Sequence, residues 1–207
     1  MTLHLGVMGI DHGHIFGMLS GMQAAGCTCD LGWTKGPAVT ENKFKEVFPD
    51  LEKVEDRRRI LDDPKIDLIL ISAIPSQRAE LAIEAMQAGK DVMVDKPGCI
   101  TLEELEDIKR VQKETGRIWS VNFSERFQVP AVAKAEQLVD QGAIGRVIQT
   151  VNLAPHKQNL KTRPDWYFQR EHYGGILTDI GSHQVDQFLH FTKSTKVTIG
   201  HALVENT

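Results

Sequence analysis

"IDLILISAIPSQRAELAIEAMQAGKDVMVDKP", residues 66–97, is the stretch on which the fold turns. IDLILIS (66–72) reads as an apolar strand, too short for a helix and rich in β-branched residues, of the kind buried on both faces. Residues 76–88 then carry apolar side chains at helical intervals and stop at Gly89, after which DVMVD (91–95) returns to strand. Strand, helix and strand joined by short turns make a crossover unit, and strands so joined lie parallel.

The same alternation extends both ways. LHLGVMGI (3–10) is a strand ending in glycine, followed by a helical stretch over 12–25, a strand at 28–34 and a helix at 41–48. Downstream, T-L-E-E opens a helix at Thr101 with a capping box to Glu104; Gly116 closes it before the strand IWSVNF (118–123). The pattern predicts a Rossmann-type, doubly wound α/β domain over residues 1–122.

After 123 a helix at 130–141, a strand at 146–153, a polar loop at 154–173, a helix at 174–191 and a strand at 195–204 predict a smaller α+β domain over 123–207. Two strands fall short of the three or more that an independent sheet needs. The domain is therefore expected to be incomplete, through truncation of the chain or because a partner chain finishes the sheet.

Composition narrows the partners. The 207 residues are 41% apolar and 25% charged with a net charge of −4, which gives no positive field for nucleic acid or anionic lipid. MTLHLGVMGID has no basic region before an apolar segment, and no apolar run reaches membrane-spanning length, so a cytoplasmic protein with a small-molecule partner is expected. Cys27, Cys29 and Cys99 have neither zinc nor disulfide spacing and read as reduced, buried side chains.

In open α/β sheets ligands bind beyond the carboxyl ends of the strands, so G-I-D-H-G-H (9–14), A-I-P-S-Q (73–77) and D-K-P (95–97) should converge. Candidate cofactor contacts there are Gly9, Ile10, Asp11, His12, Ile74, Pro75, Asp95, Lys96 and Pro97. If Gly9 opens a dinucleotide fingerprint, its other two glycine positions hold Asp11 and His14. Asp11 opposes a pyrophosphate unless it turns away or caps the helix. At the end of the second strand no acid stands ready for a ribose; Thr34 and Lys35 could instead take a 2′-phosphate, which tilts NAD or NADP toward NADP. Lys96, desolvated at the crevice mouth, could carry a proton or bind a hydroxyl.

GGILTDIGSHQVDQFLHF (174–191) otherwise looks like a well-packed helix, yet at 100° per residue Asp179, His183, Asp186 and His190 form one polar stripe opposite Leu177, Ile180, Val185, Phe188, Leu189 and Phe191. Short acid and imidazole groups at i, i+4 point to a site at Asp179 and His183, with Asp186 and His190 supporting it.

Through "GVMGI", "AELAIEAMQAGKDVMVDKPGCITLEELEDI", "LVDQGAIGRV" and "GGILTDIGSHQVD", in that order, the chain resembles the Gfo/Idh/MocA oxidoreductases. The resemblance implies an NAD(P)-binding Rossmann domain, a second domain whose open sheet mediates homo-oligomers, and sugar, cyclitol or polyol substrates. It also implies a catalytic set of Lys96, Asp179 and His183 that contacts substrate, with His183 as general base, Lys96 on the hydroxyl oxygen and Asp179 orienting. Trp166 and Tyr167 could offer aromatic faces to a sugar. Two other readings stand beside it: a non-catalytic NAD(P)-binding regulator or scaffold, and a metal ion held by His12, His14, Asp179 and His183. The metal reading is set aside because no spacing matches a known motif.

Overall fold

The computed structural model describes residues 2–205. Strands β1 (His4–Met8), β2 (Thr28–Trp33), β3 (Glu52–Lys53), β4 (Leu68–Ile71), β5 (Asp91–Asp95) and β6 (Trp119–Asn122) form one sheet in the order β3-β2-β1-β4-β5-β6, every neighbouring pair parallel. The winding reverses between β1 and β4, the point at which open α/β sheets place their ligands above the strands' carboxyl ends. Helices α1 (His14–Ala24), α2 (Glu41–Val47), α3 (Arg58–Leu61), α4 (Pro75–Gln87) and α5 (Leu102–Thr115) connect the strands.

Both sheet faces are apolar because both are covered. Ile69 and Ile71 pack with Val92, Val94, Ala82, Ala85, Met86, Ile108 and Val111 on one side, while Leu70 packs with Leu5, Val7, Ile15, Leu19 and Phe44 on the other. Successive side chains thus enter different cores, which explains an apolar run without polar alternation. The Thr101 hydroxyl accepts the Glu104 N–H and the Glu104 carboxylate accepts the Thr101 N–H, each at 3.1 Å; Gly116 leaves α5 at φ 67°. Neither β3 nor α3 was expected: two exposed residues and one helical turn carry no periodic signal.

Beyond β6 lie α6 (Ser124–Phe127), α7 (Pro130–Asp140), a 3₁₀ turn (Asp165–Phe168), α8 (Arg170–Tyr173) and a π-helical segment (Leu177–Gly181) that runs into α9 (Ser182–Thr192). The strands expected at 146–153 and 195–204 do not form, and Ile148, Val151, Leu153, Ile199 and Leu203 are exposed. An apolar pattern becomes a strand only when a neighbour takes its N–H and C=O groups, and among the described residues none does. No helix of the described residues is long and apolar enough to cross a membrane. The three cysteines are free but only half-buried, and burial pushes Cys29 up to about 12 and Cys99 to about 11.

Candidate active site

The crevice is assembled from strand ends and one helix. β5 delivers Asp95 and then Lys96, joined to Pro97 by a cis peptide. The Lys96 ammonium donates to Asp179 Oδ1 at 2.7 Å and to the Asp179 carbonyl at 3.3 Å; Tyr167 donates its hydroxyl to Oδ2 at 2.6 Å. Lys96 is 5% exposed and Asp179 4%, so this ion pair is sheltered from water. Burial by itself raises the Asp179 carboxyl, but the Lys96 charge and the hydrogen bonds from Lys96 and Tyr167 outweigh it and hold the group below 3.8.

Asp179 sits in the π-helical segment, the wide turn that often marks functional positions. His183, on the first turn of α9, is 2% exposed, with Nδ1 lacking any partner and Nε2 4.0 Å from Glu125 Oε1. Burial, and next the Lys96 charge, push this imidazole below 6.5, so it is neutral at pH 7 with a lone pair to offer. Further along the stripe, Arg126 of α6 grips Asp186 through Nε at 2.6 Å and Nη2 at 2.9 Å, and His190 lies 3.0 Å from Glu136 of α7. These contacts fasten the helix, as expected of supporting residues. The expected packing of its opposite arc does not hold: Ile180 is buried, but Leu177 is 54% exposed and Val185 39%. This helix turns its polar stripe inward because the buried amine of Lys96 needs a charged partner there.

The other strand-end loops interlock. Gly9 has φ +81°, and a Cβ there would lie 2.4 Å from the Ala73 Cβ, so only glycine fits. Asp11 does not cap α1; its buried carboxyl turns toward the N–H of Ile74 and is pushed up to about 6 by burial. His12 and His14 place their Nδ1 atoms 3.0 and 2.8 Å from Asp95 Oδ2 and Oδ1. The fully buried Arg78 reaches Asp95 Oδ2 at 3.0 Å and the carbonyls of Ala73, Asp95 and Pro97 at 2.8, 2.9 and 3.0 Å, tying the loops at 73 and 95–97 together. Ile74 and Pro75 begin α4 beside them.

At the end of β2, Thr34 is buried with Oγ1 unpartnered, and Lys35 is exposed. Trp166 and Tyr167 are half-buried, and the Arg163 guanidinium lies 3.6 Å from the Tyr167 ring centre. Tyr167 thus holds Asp179 through its hydroxyl. The four groups of the metal reading divide: His12 and His14 meet Asp95, whereas Asp179 meets Lys96. Arg78 and Glu125 escaped the sequence reading. Arg78 left a signal, an arginine in line with the apolar Ala82 and Ala85 of α4; Glu125, on a one-turn helix, left none.

Residues 38–123 match the profile described as an oxidoreductase family with an NAD-binding Rossmann fold, and residues 132–206 match the GFO/IDH/MocA C-terminal domain. The chain belongs to the Gfo/Idh/MocA family. As a Gfo/Idh/MocA member it is 33% identical over 159 residues to a scyllo-inositol 2-dehydrogenase (NAD(+)) of Bacillus subtilis strain 168, covering 73% of this chain and 43% of that one. It is 28% identical over 163 residues to the NADP(+) enzyme of the same name and strain, covering 79% and 45%. The chain therefore spans less than half the length of either. A solved structure assigned to the oxidoreductases, from Erwinia carotovora atroseptica, superimposes with a TM-score of 0.88 at 40% identity over 93% of this Gfo/Idh/MocA chain and 57% of its own.

Proposed function

We propose that this chain carries the reacting groups of an NAD(P)-dependent dehydrogenase acting on a carbinol carbon of a sugar, cyclitol or related polyol. The observation that carries the reading is the buried Lys96–Asp179 pair, at 2.7 Å across 83 residues of sequence, with the His183 imidazole, its Nδ1 unpartnered, one turn beyond.

Two features support a dinucleotide at these strand ends. Gly9 allows a close backbone approach beside the amino end of α1, and the orphaned Thr34 hydroxyl stands at the end of β2, with Lys35 next to it. Gly9, Ile10, His12, Thr34 and Lys35 would hold the cofactor, and Lys35 with no acid beside it favours the 2′-phosphate of NADP. Bound NAD(P) would supply the hydride acceptor or donor. His183, neutral at pH 7, takes the hydroxyl proton on a ring nitrogen. Lys96 donates a hydrogen bond to the same oxygen as charge develops, and Asp179, fixed by Tyr167, keeps that ammonium aimed.

Lys96→Ala and His183→Ala are expected to abolish polyol-dependent reduction of NAD(P) while NADPH binding, followed by its fluorescence, persists. Wild-type rates in both variants on a confirmed substrate would overturn the roles. Because the imidazole is depressed below 6.5, kcat/KM for alcohol oxidation is expected to be flat above pH 7 and to fall only below that value. The Asp11 and His14 departures from the glycine fingerprint favour a second reading, an NAD(P)-binding scaffold without turnover. NADPH binding with no hydride transfer across a broad polyol panel would select it.

A further inference from the structure

Two imidazoles and a carboxylate lie at the crevice in a geometry that hydride transfer does not require. His12 and His14 flank Gly13 in the β1–α1 turn, Asp95 ends β5, and one donor atom from each lies within 4.8 Å of the other two. The Nδ1 atoms of the histidines are 3.0 and 2.8 Å from the carboxylate oxygens. A cation bound at about 2.0–2.2 Å to each donor spaces tetrahedral ligands roughly 3.4 Å apart, near the 2.8 and 3.0 Å that already separate each imidazole nitrogen from the carboxylate.

We propose that His12, His14 and Asp95 form a binding site for a first-row transition-metal dication such as Zn²⁺ or Co²⁺. The donor set selects the class: two imidazoles with one carboxylate suit these ions, whereas Mg²⁺ and Ca²⁺ prefer oxygen throughout. The carboxylate is held by groups outside the set. Arg78 donates to Oδ2 at 3.0 Å and Ser72 at 3.3 Å, and Oδ1 has only His14 against it. Such outer contacts fix a ligand's orientation before the metal arrives. Arg78 also shares the carboxylate's charge, which lowers affinity below that of a carboxylate without a cationic neighbour.

The two imidazole rings already stand edge to face with centres 4.2 Å apart. Their side chains are 23% and 29% exposed while Asp95 is wholly buried, which leaves an entry path for an ion above a fixed base. Three protein ligands leave coordination positions open to water or to a ligand in the crevice.

The test uses the full chain and Co²⁺ alone, followed by calorimetry and by the visible absorption of the bound ion. One equivalent is expected to bind with nitrogen-ligand bands, and His12→Gln and His14→Gln should each weaken it roughly tenfold or more. His201→Gln, an exposed histidine elsewhere, should leave it unchanged. Asp95→Asn also breaks the Arg78 pair, so the histidine variants, checked for wild-type unfolding transitions, carry the result. Absence of stoichiometric binding, or binding undiminished in the double histidine variant, would overturn the proposal. The readout involves no turnover, so the roles of Lys96, Asp179 and His183 stand or fall separately.

Discussion

Residues 2–123 bury a large apolar core with polar groups at its strand ends, whereas residues 124–205 bury little besides polar groups. Every buried apolar residue except Ile180 lies at or before Val111, whereas Asp179 and His183 are sheltered beyond it while Leu153, Ile148, Leu203 and Val151 stand more than 75% exposed. The first region is held by its own two-sided apolar core. The second is anchored where its polar groups meet the first region's strand ends, through Lys96 with Asp179 and Ser76 with His172. One sequence thus follows the ordinary rule of burial in one half and inverts it where the halves join. The inversion falls on the groups with chemistry to perform, since a charge is buried only against a partner.

The contrast can be broken most severely at Arg78. Arg78→Met would leave Asp95 buried beside two weak partners, and a loss of about 3–5 kcal/mol in urea unfolding is expected. A loss under 1 kcal/mol would mean the loops at 73 and 95–97 hold without it. Next comes a paired comparison. Ile69→Ala, in the sheet core, should cost about 2–5 kcal/mol. Leu177→Ala, on the exposed arc of the π segment, should stay within about 0.5 kcal/mol. Equal losses would mean the second region is packed after all.

A comparable effect is written in pH. Asp11 titrates at about 6 in the fold against 3.8 in the free chain, so the folded state binds more protons between those values. Stability should therefore be greatest below 3.8 for this group and decline as pH rises through 6, by up to about 3 kcal/mol. Asp11→Asn should flatten that part of the stability-against-pH curve; an unchanged slope would assign it to another group. The smallest effect belongs to the α5 cap, where Thr101→Ala should cost about 1 kcal/mol by thermal unfolding.

The alternation of strands and helices was legible because a parallel sheet covered on both faces demands apolar runs between helical periods, and β5 falls on the residues read for it, 91–95. The stripe Asp179–His183–Asp186–His190 was legible for the same kind of reason, a period of 3.6. The strands at 146–153 and 195–204 were misread because a period of two records what a segment can do, while a ladder needs a second segment beside it. Arg78, Glu125 and the Tyr167 hydroxyl on Asp179 became visible only when segments distant in sequence met, since no local pattern encodes which carboxylate a buried donor will find.

The amino-acid sequence by itself determined the doubly wound sheet, its helix ends and the residue types at the crevice, because periodicity, capping and glycine conformation are local properties of the chain. Only the tertiary structure decided that Lys96 meets Asp179, that His12 and His14 share Asp95, and that the 174–191 helix turns its polar stripe inward. Those outcomes depend on which charges are desolvated together, and desolvation is a property of the assembled molecule.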